Sequence, residues 1–141
     1  MKVILDTCVI SELVAKQPNQ RVVDFIDGLD GDSIFLSVIT IGEIIKGIER
    51  LPDSPRKIEL RRWLQEDLLA RFQGRILPLD TDTVVEWGVL SARIETVGRP
   101  MPAIDSLIAA TALANRMTLV TRNTSDFDAA GVEIANPWKA Q

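Results

Sequence analysis

The sequence predicts an α/β protein: a small, mainly parallel sheet flanked by helices, in a single domain over residues 1–141. Three observations carry this. Short apolar, partly β-branched runs recur at residues 3–5, 34–36, 76–77 and 118–121. Stretches with apolar residues at helical spacing separate them. Prolines and glycines stand at the joints. Strands alternating with helices are the pattern of a parallel sheet joined by helical crossovers.

Each element follows from its residues. Val3-Ile4-Leu5 reads as a buried strand, and Val9, Ile10, Leu13 and Val14 mark a helix after Asp6-Thr7. Pro18-Asn19 interrupts the chain. Val22, Val23, Phe25, Ile26 and Leu29 form the stripe of a second helix, ending near Gly28 or Gly31. Ile34-Phe35-Leu36 is the second strand, and Ser37 caps a helix over Val38 to Arg50. After Pro52 and Pro55, a long helix is predicted from Arg56 to Phe72, with Ile58, Leu60, Trp63, Leu64, Leu68 and Leu69 apolar and Gly74 as its stop. Ile76-Leu77 is the third strand. Asp80 caps a helix carrying Val84, Val85, Trp87, Val89, Leu90 and Ile94, which Gly98 ends. Pro100 and Pro102 precede a very apolar helix over Ala103 to Asn115. Thr118 to Thr121 is the fourth strand, Arg122 to Asp126 a polar turn, and Val132-Glu133-Ile134 a fifth strand.

Composition excludes several kinds of chemistry. A length of 141 residues suffices for one core, and 46% hydrophobic with 26% charged residues marks a folded chain rather than a disordered one. Mean hydropathy is +0.12. No apolar run approaches the roughly 18 residues of a membrane span, so no membrane partner is expected. The absence of histidine excludes Ser-His-Asp and Cys-His catalysis and His-ligated zinc or iron. The single cysteine, Cys8, excludes an internal disulfide and a four-cysteine zinc site. There is no tyrosine. Carboxylates must therefore carry most acid–base or metal chemistry, with Lys, Ser, Thr and Asn as the other candidates. Such an oxygen-only site suits Mg2+ or Mn2+. The net charge of −4 does not suggest a nucleic-acid coat protein. Met1 to Asp6 is no signal peptide, and with no disulfide the expected compartment is the cytoplasm.

Four acids stand out. Asp6 follows the first strand, Glu43 has apolar neighbours, Asp105 opens the most apolar helix, and Asp126 lies just past the fourth strand. Each has a structural reading. Asp6 fits a helix N-cap, Glu43 a pair with Lys46, Asp105 the positive end of its helix and Asp126 a turn. Together they fit a site at the carboxyl ends of parallel strands. Packed carboxylates repel one another and call for protons or a cation. A metal held there would activate a water for in-line displacement at phosphorus.

Other motifs weigh less. Asp80-Thr81-Asp82 matches the D-x-D signature of haloacid-dehalogenase-type phosphatases, but it lies late in the chain and fits the acidic first turn of a helix. There is no G-x-x-x-x-G-K-[ST] loop, no G-x-G-x-x-G and no adjacent acid pair of the response-regulator type. Cys8, without a histidine to activate it, reads as a structural thiol. Trp63, Trp87 and Trp138 read as core or interface residues. Residues 50–62 hold Arg50, Arg56, Lys57, Arg61 and Arg62 against Asp53 and Glu59, which fits either a phosphate track or a solvated helix face. Arg122 is the better candidate for substrate contact because it lies close to Asp126.

The chain resembles PIN-domain ribonucleases of the VapC toxin type, FitB-like branch. The matching stretches are Leu5-Asp6-Thr7 with Val9 to Glu12, Ser37 to Thr40 with Glu43 and Gly47, and Gly74 to Pro78. They continue with Asp105 and Ile108 to Ala112, Thr121 to Asn123 with Asp126-Phe127, and Asn136-Pro137-Trp138. The resemblance implies an α/β/α fold and metal-dependent cleavage of RNA. It puts family acids on Asp6, Glu43 and Asp105, and polar helpers on Thr7, Thr121 and Asn123. Where many members carry two acids, this chain has Asn123 and Asp126; where they carry Asn or Ser, it has Cys8. The resemblance also implies a homodimer and a cognate antitoxin that blocks the site and brings the complex to operator DNA.

The resulting expectation is a Mg2+- or Mn2+-dependent endoribonuclease, the toxin of a toxin–antitoxin pair. Asp6 and Asp105 are the main metal ligands, and Glu43 and Asp126 complete the site directly or through water. Thr121 and Asn123 orient the acids or a phosphate. The rival reading is a binding subunit of a DNA-binding repressor complex with little nuclease activity. A phosphatase dependent on Asp80 is a third.

Overall fold

The computed structural model describes residues 1–139. Successive residues of a strand point to opposite faces of a sheet, and the first strand shows what that does here. In β1 (Val3–Leu5), Val3 and Leu5 enter one apolar cluster and Ile4 another. β2 (Ile34–Ser37) divides likewise, with Ile34 and Leu36 on the first side and Phe35 on the second. In β4 (Thr118–Val120), Val120 and Leu119 take opposite sides. The sheet thus separates two cores, and a strand buried on both faces reads as a continuous apolar run. β3 (Ile76–Leu77) and β5 (Ile134–Ala135) complete the order β3-β2-β1-β4-β5, with every pairing parallel.

One core is closed by α1 (Thr7–Leu13), α2 (Gln20–Asp27), α3 (Val38–Glu49) and α4 (Pro55–Trp63). After α4 the helix continues as a π-helical segment over Leu64–Leu68 and ends in α5 (Leu69–Arg71). The second core is closed by α6 (Thr81–Thr96), α7 (Ala103–Ala114) and the short α8 (Thr124–Phe127). Among the described residues no helix is long and apolar enough to cross a membrane.

Five details differ from the sequence reading. The helix predicted over Arg56 to Phe72 contains the π segment. Leu60, Leu64, Leu68 and Phe72 recur every four residues, ahead of the 3.6-residue turn; the wider π turn takes up that lead and keeps the last three buried in one cluster. Ile58 is 58% exposed, while Lys57 in the same turn is buried. Val84, Val85 and Val89 face solvent, and Thr83, Leu90 and Ile94 form the buried side of α6. The last strand is Ile134–Ala135 rather than 132–134, and the polar turn after β4 contains α8.

Candidate active site

The connections β1–β2–β3 run to one side of β1, and the chain then returns to place β4 on the other. The β1/β4 boundary is therefore the topological switch point, where parallel sheets open a crevice at their carboxyl ends. Asp6 follows β1 and Thr121 follows β4. The Asp6 N–H donates to Val120 O at 2.9 Å, so the sheet fixes its backbone. Asp6 is buried, and its Oδ1 accepts the Thr7 N–H at 2.8 Å, as an N-cap does. Its Oδ2 accepts the Thr121 hydroxyl at 2.8 Å. Thr121 is fully buried; having given its one proton to Asp6, it accepts the Asn123 N–H at 3.0 Å. Asn123 thus serves the site through its backbone.

Glu43 is reached from α1. Thr7 Oγ1 donates to Glu43 Oε1 at 2.5 Å and lies 3.4 Å from the hydroxyl of the buried Thr40. The i+3 partner Lys46 forms no ion pair with Glu43 among the described residues. Thr7 therefore clamps two acids, Asp6 by its N–H and Glu43 by its hydroxyl. The family resemblance marks Thr7 as a polar helper; that it holds both acids at once is what the structure adds.

Asp105 lies in the first turn of α7. That turn is fixed from α6, where Trp87 Nε1 donates to Ser106 Oγ at 2.9 Å. Burial pushes the Asp105 carboxyl up from its ordinary value of 3.8, and the charges of Asp6, Asp126 and Glu43 push it further the same way. Asp126 is exposed in the first turn of α8 and acts on Asp105 through charge. The structure thus brings all four predicted acids into one electrostatic neighbourhood. Among the described residues, no three of the acids and Cys8 stand together as a ready metal-ligand set. The donors are all hard oxygens, and a cation would reverse the push on Asp105.

The lesser candidates sort out clearly. Cys8 is half-buried, with Sγ 3.7 Å from Asp6 Oδ2 and 3.6 Å from Thr121 Oγ1. Burial pushes its thiol up, against a hydrogen bond from the Arg122 backbone, and the Asp6 charge adds to the push. That is the opposite of an activated nucleophile. Asp80 is the N-cap of α6, its Oδ1 taking the Thr83 N–H at 2.9 Å; the Thr83 side chain first, and then this N–H, hold its carboxyl low. In the basic run, Lys57 Nζ donates to the carbonyls of Glu49 and Leu51, and Arg61 grips both Glu49 oxygens at 2.9 and 2.7 Å. Arg56 donates to Val14 O. These three cations tie α4 to its neighbours, while Arg50 and Arg62 of the same run are exposed. Beside Thr7 and Glu43 opens a cavity of about 220 Å³ walled by Ile10, Val14, Ile44, Leu60 and Trp63.

A central parallel sheet with an acid cluster at its switch point defines the class: the chain belongs to the PIN-domain family, which it matches over residues 3–133. It is 39% identical to the plasmid stability protein StbB of Pseudomonas syringae pv. tomato, covering 98% of this chain and 99% of the relative. It is 39% identical to toxin FitB of Neisseria gonorrhoeae, over 96% and 98% respectively. VapC ribonuclease Y4jK of Sinorhizobium fredii is 37% identical, over 97% and 98%. The solved structure of FitAB bound to an IR36 DNA fragment superposes with a TM-score of 0.93 at 38% identity, covering 99% of this chain and 97% of that one.

Proposed function

We propose that this chain is a metal-dependent endoribonuclease acting as the toxin of a toxin–antitoxin pair in the cytoplasm. One observation carries the reading: within a PIN fold, burial and three neighbouring acid charges all act on Asp105, the situation a divalent cation relieves. The names of the relatives, a toxin and a VapC ribonuclease, point the same way.

In this reading Asp6 and Asp105 hold Mg2+ or Mn2+, with Glu43 and Asp126 acting directly or through water. Such an ion lowers the pKa of a bound water and neutralises charge on the phosphate. The Thr7 N–H and the Thr121 hydroxyl fix both Asp6 oxygens, so this acid needs no reorganisation when substrate arrives. Thr7 holds Glu43 in the same register. Asn123 keeps the Thr121 hydroxyl aimed at Asp6 through its backbone N–H. A cognate antitoxin would fill the apolar cavity beside Glu43 and thereby cover the acids. Operator DNA would be reached through that antitoxin, and a homodimer is the expected assembly.

The test is cleavage of an RNA panel by the purified chain with Mg2+ or Mn2+, beside an EDTA control. Cleavage lost in EDTA and in both Asp6→Asn and Asp105→Asn, with thermal unfolding still cooperative, is the expected result. Full activity in both variants would sink the reading. The DNA-bound assembly of the FitAB relative favours the second reading, a repressor-complex subunit. Growth arrest by this chain alone, abolished by Asp105→Asn, decides for the enzyme.

A further inference from the structure

Arg122 immediately follows Thr121, and its position is fixed from both sides. The Thr121 N–H donates to Ala135 O at 3.0 Å, and the Asn123 N–H donates to the Thr121 hydroxyl. The Arg122 side chain is exposed and lies over the Trp138 ring, with Cζ 5.6 Å from the centroid. The ring is itself anchored. Trp138 Nε1 donates to Glu12 Oε1 at 3.2 Å, and its backbone N–H donates to Asn136 Oδ1 at 3.0 Å. The other Glu12 oxygen accepts the Asn19 N–H. Arg122 makes no ion pair among the described residues, whereas Arg56, Lys57, Arg61 and Arg99 all do.

We propose that Arg122, held over the Trp138 ring, forms a subsite for an unpaired RNA base flanking the scissile phosphate. The inference rests on the nuclease reading and names how its substrate is held. A cation that only gripped phosphate would gain nothing from lying against an indole, because stacking costs it reach. What the ring supplies is a held position for an exposed guanidinium, and nucleobases stack on guanidinium planes. Attachment to the strand end that carries Thr121 keeps the subsite in constant register with Asp6.

The test uses the full chain in EDTA with a fluorescent single-stranded RNA, so that binding is read without cleavage. Arg122→Ala is expected to raise Kd about tenfold or more, the scale of one lost base stack. Arg122→Lys, which keeps the charge and loses the plane, should keep the salt dependence and recover only part of the affinity. Wild-type affinity in Arg122→Ala overturns the subsite. Wild-type affinity in Arg122→Lys overturns the stacking and leaves a simple cation. If either result comes while the unaltered chain still cleaves RNA with Mn2+, the nuclease reading stands without the subsite. If the unaltered chain neither binds nor cleaves RNA, that reading falls and takes the subsite with it. Unchanged RNA affinity with weakened antitoxin binding assigns the pair to a protein contact and overturns the inference.

Discussion

Asp105 and Thr7 show what single side chains do here. The carboxyl of Asp105 holds its proton to higher pH in the folded chain than in the unfolded one, because burial and three like charges disfavour its ionised form. The unfolded state therefore releases this proton first, near 3.8. Folding is favoured by the group below that pH, and the benefit is lost as pH rises through the raised value. Above both, the penalty is complete. Asp105→Asn should accordingly raise the Tm of the metal-free protein at neutral pH, and the gap to the unaltered chain should close towards pH 4. A lower Tm for the variant at neutral pH would contradict this. Thr7 makes a different prediction, since its hydroxyl holds Glu43 while its N–H holds Asp6. Thr7→Val keeps the N–H contact and removes the other. Mn2+ affinity, read by calorimetry, should weaken, and Thr7→Ser should restore it; unchanged affinity in Thr7→Val removes Thr7 from the site.

Among the elements, α3 shows how a local signal positions chemistry. Ser37 ends β2, is fully buried, and its Oγ accepts the Ile39 N–H at 3.0 Å. That cap starts the helix at the sheet edge, so Glu43, six residues on, comes within reach of Thr7. Ser37→Ala leaves a helix-end N–H unpaired and should cost about 1 kcal/mol in denaturant unfolding. A loss below a few tenths would mean that water replaces the cap. These capping signals are why the starts of α3 and α6 were legible in the sequence: Ser37 and Asp80 each take a backbone N–H of their own first turn, as Asn19, read only as a break, also does for α2. The π segment was not legible, because a four-residue apolar spacing looks the same in a regular helix. The exposed face of α6 was missed for a related reason. Val84, Val85 and Val89 are apolar by type, and only packing decides which side of a helix turns inward. Lys57 misled in the opposite sense, reading as a solvated cation when it is buried against two carbonyls.

For the molecule as a whole, the four acids could be picked out because each was anomalous against its own neighbours. Their convergence was only inferable from the rule that parallel sheets present sites at one edge. What no local pattern carried is the network joining them, Thr40–Thr7–Glu43 on one side and Asn123–Thr121–Asp6 on the other. Those contacts depend on the strand order, which places β1 between β2 and β4.

That order also governs when the acids can meet. The Asp6–Thr121 hydrogen bond spans 115 positions of the chain, and Asp6 is made before its partner. A ribosome extending this chain makes β1 well before β4 and α8, and a chain grows at roughly 5–20 residues per second. Until residues 118–126 join the sheet, Asp6 has no Thr121, and Asp126 cannot act on Asp105. A nascent chain that stops short of β4 therefore carries Asp6, Glu43 and Asp105 without their assembly, and the site becomes complete only once residues 118–126 have been made and have docked.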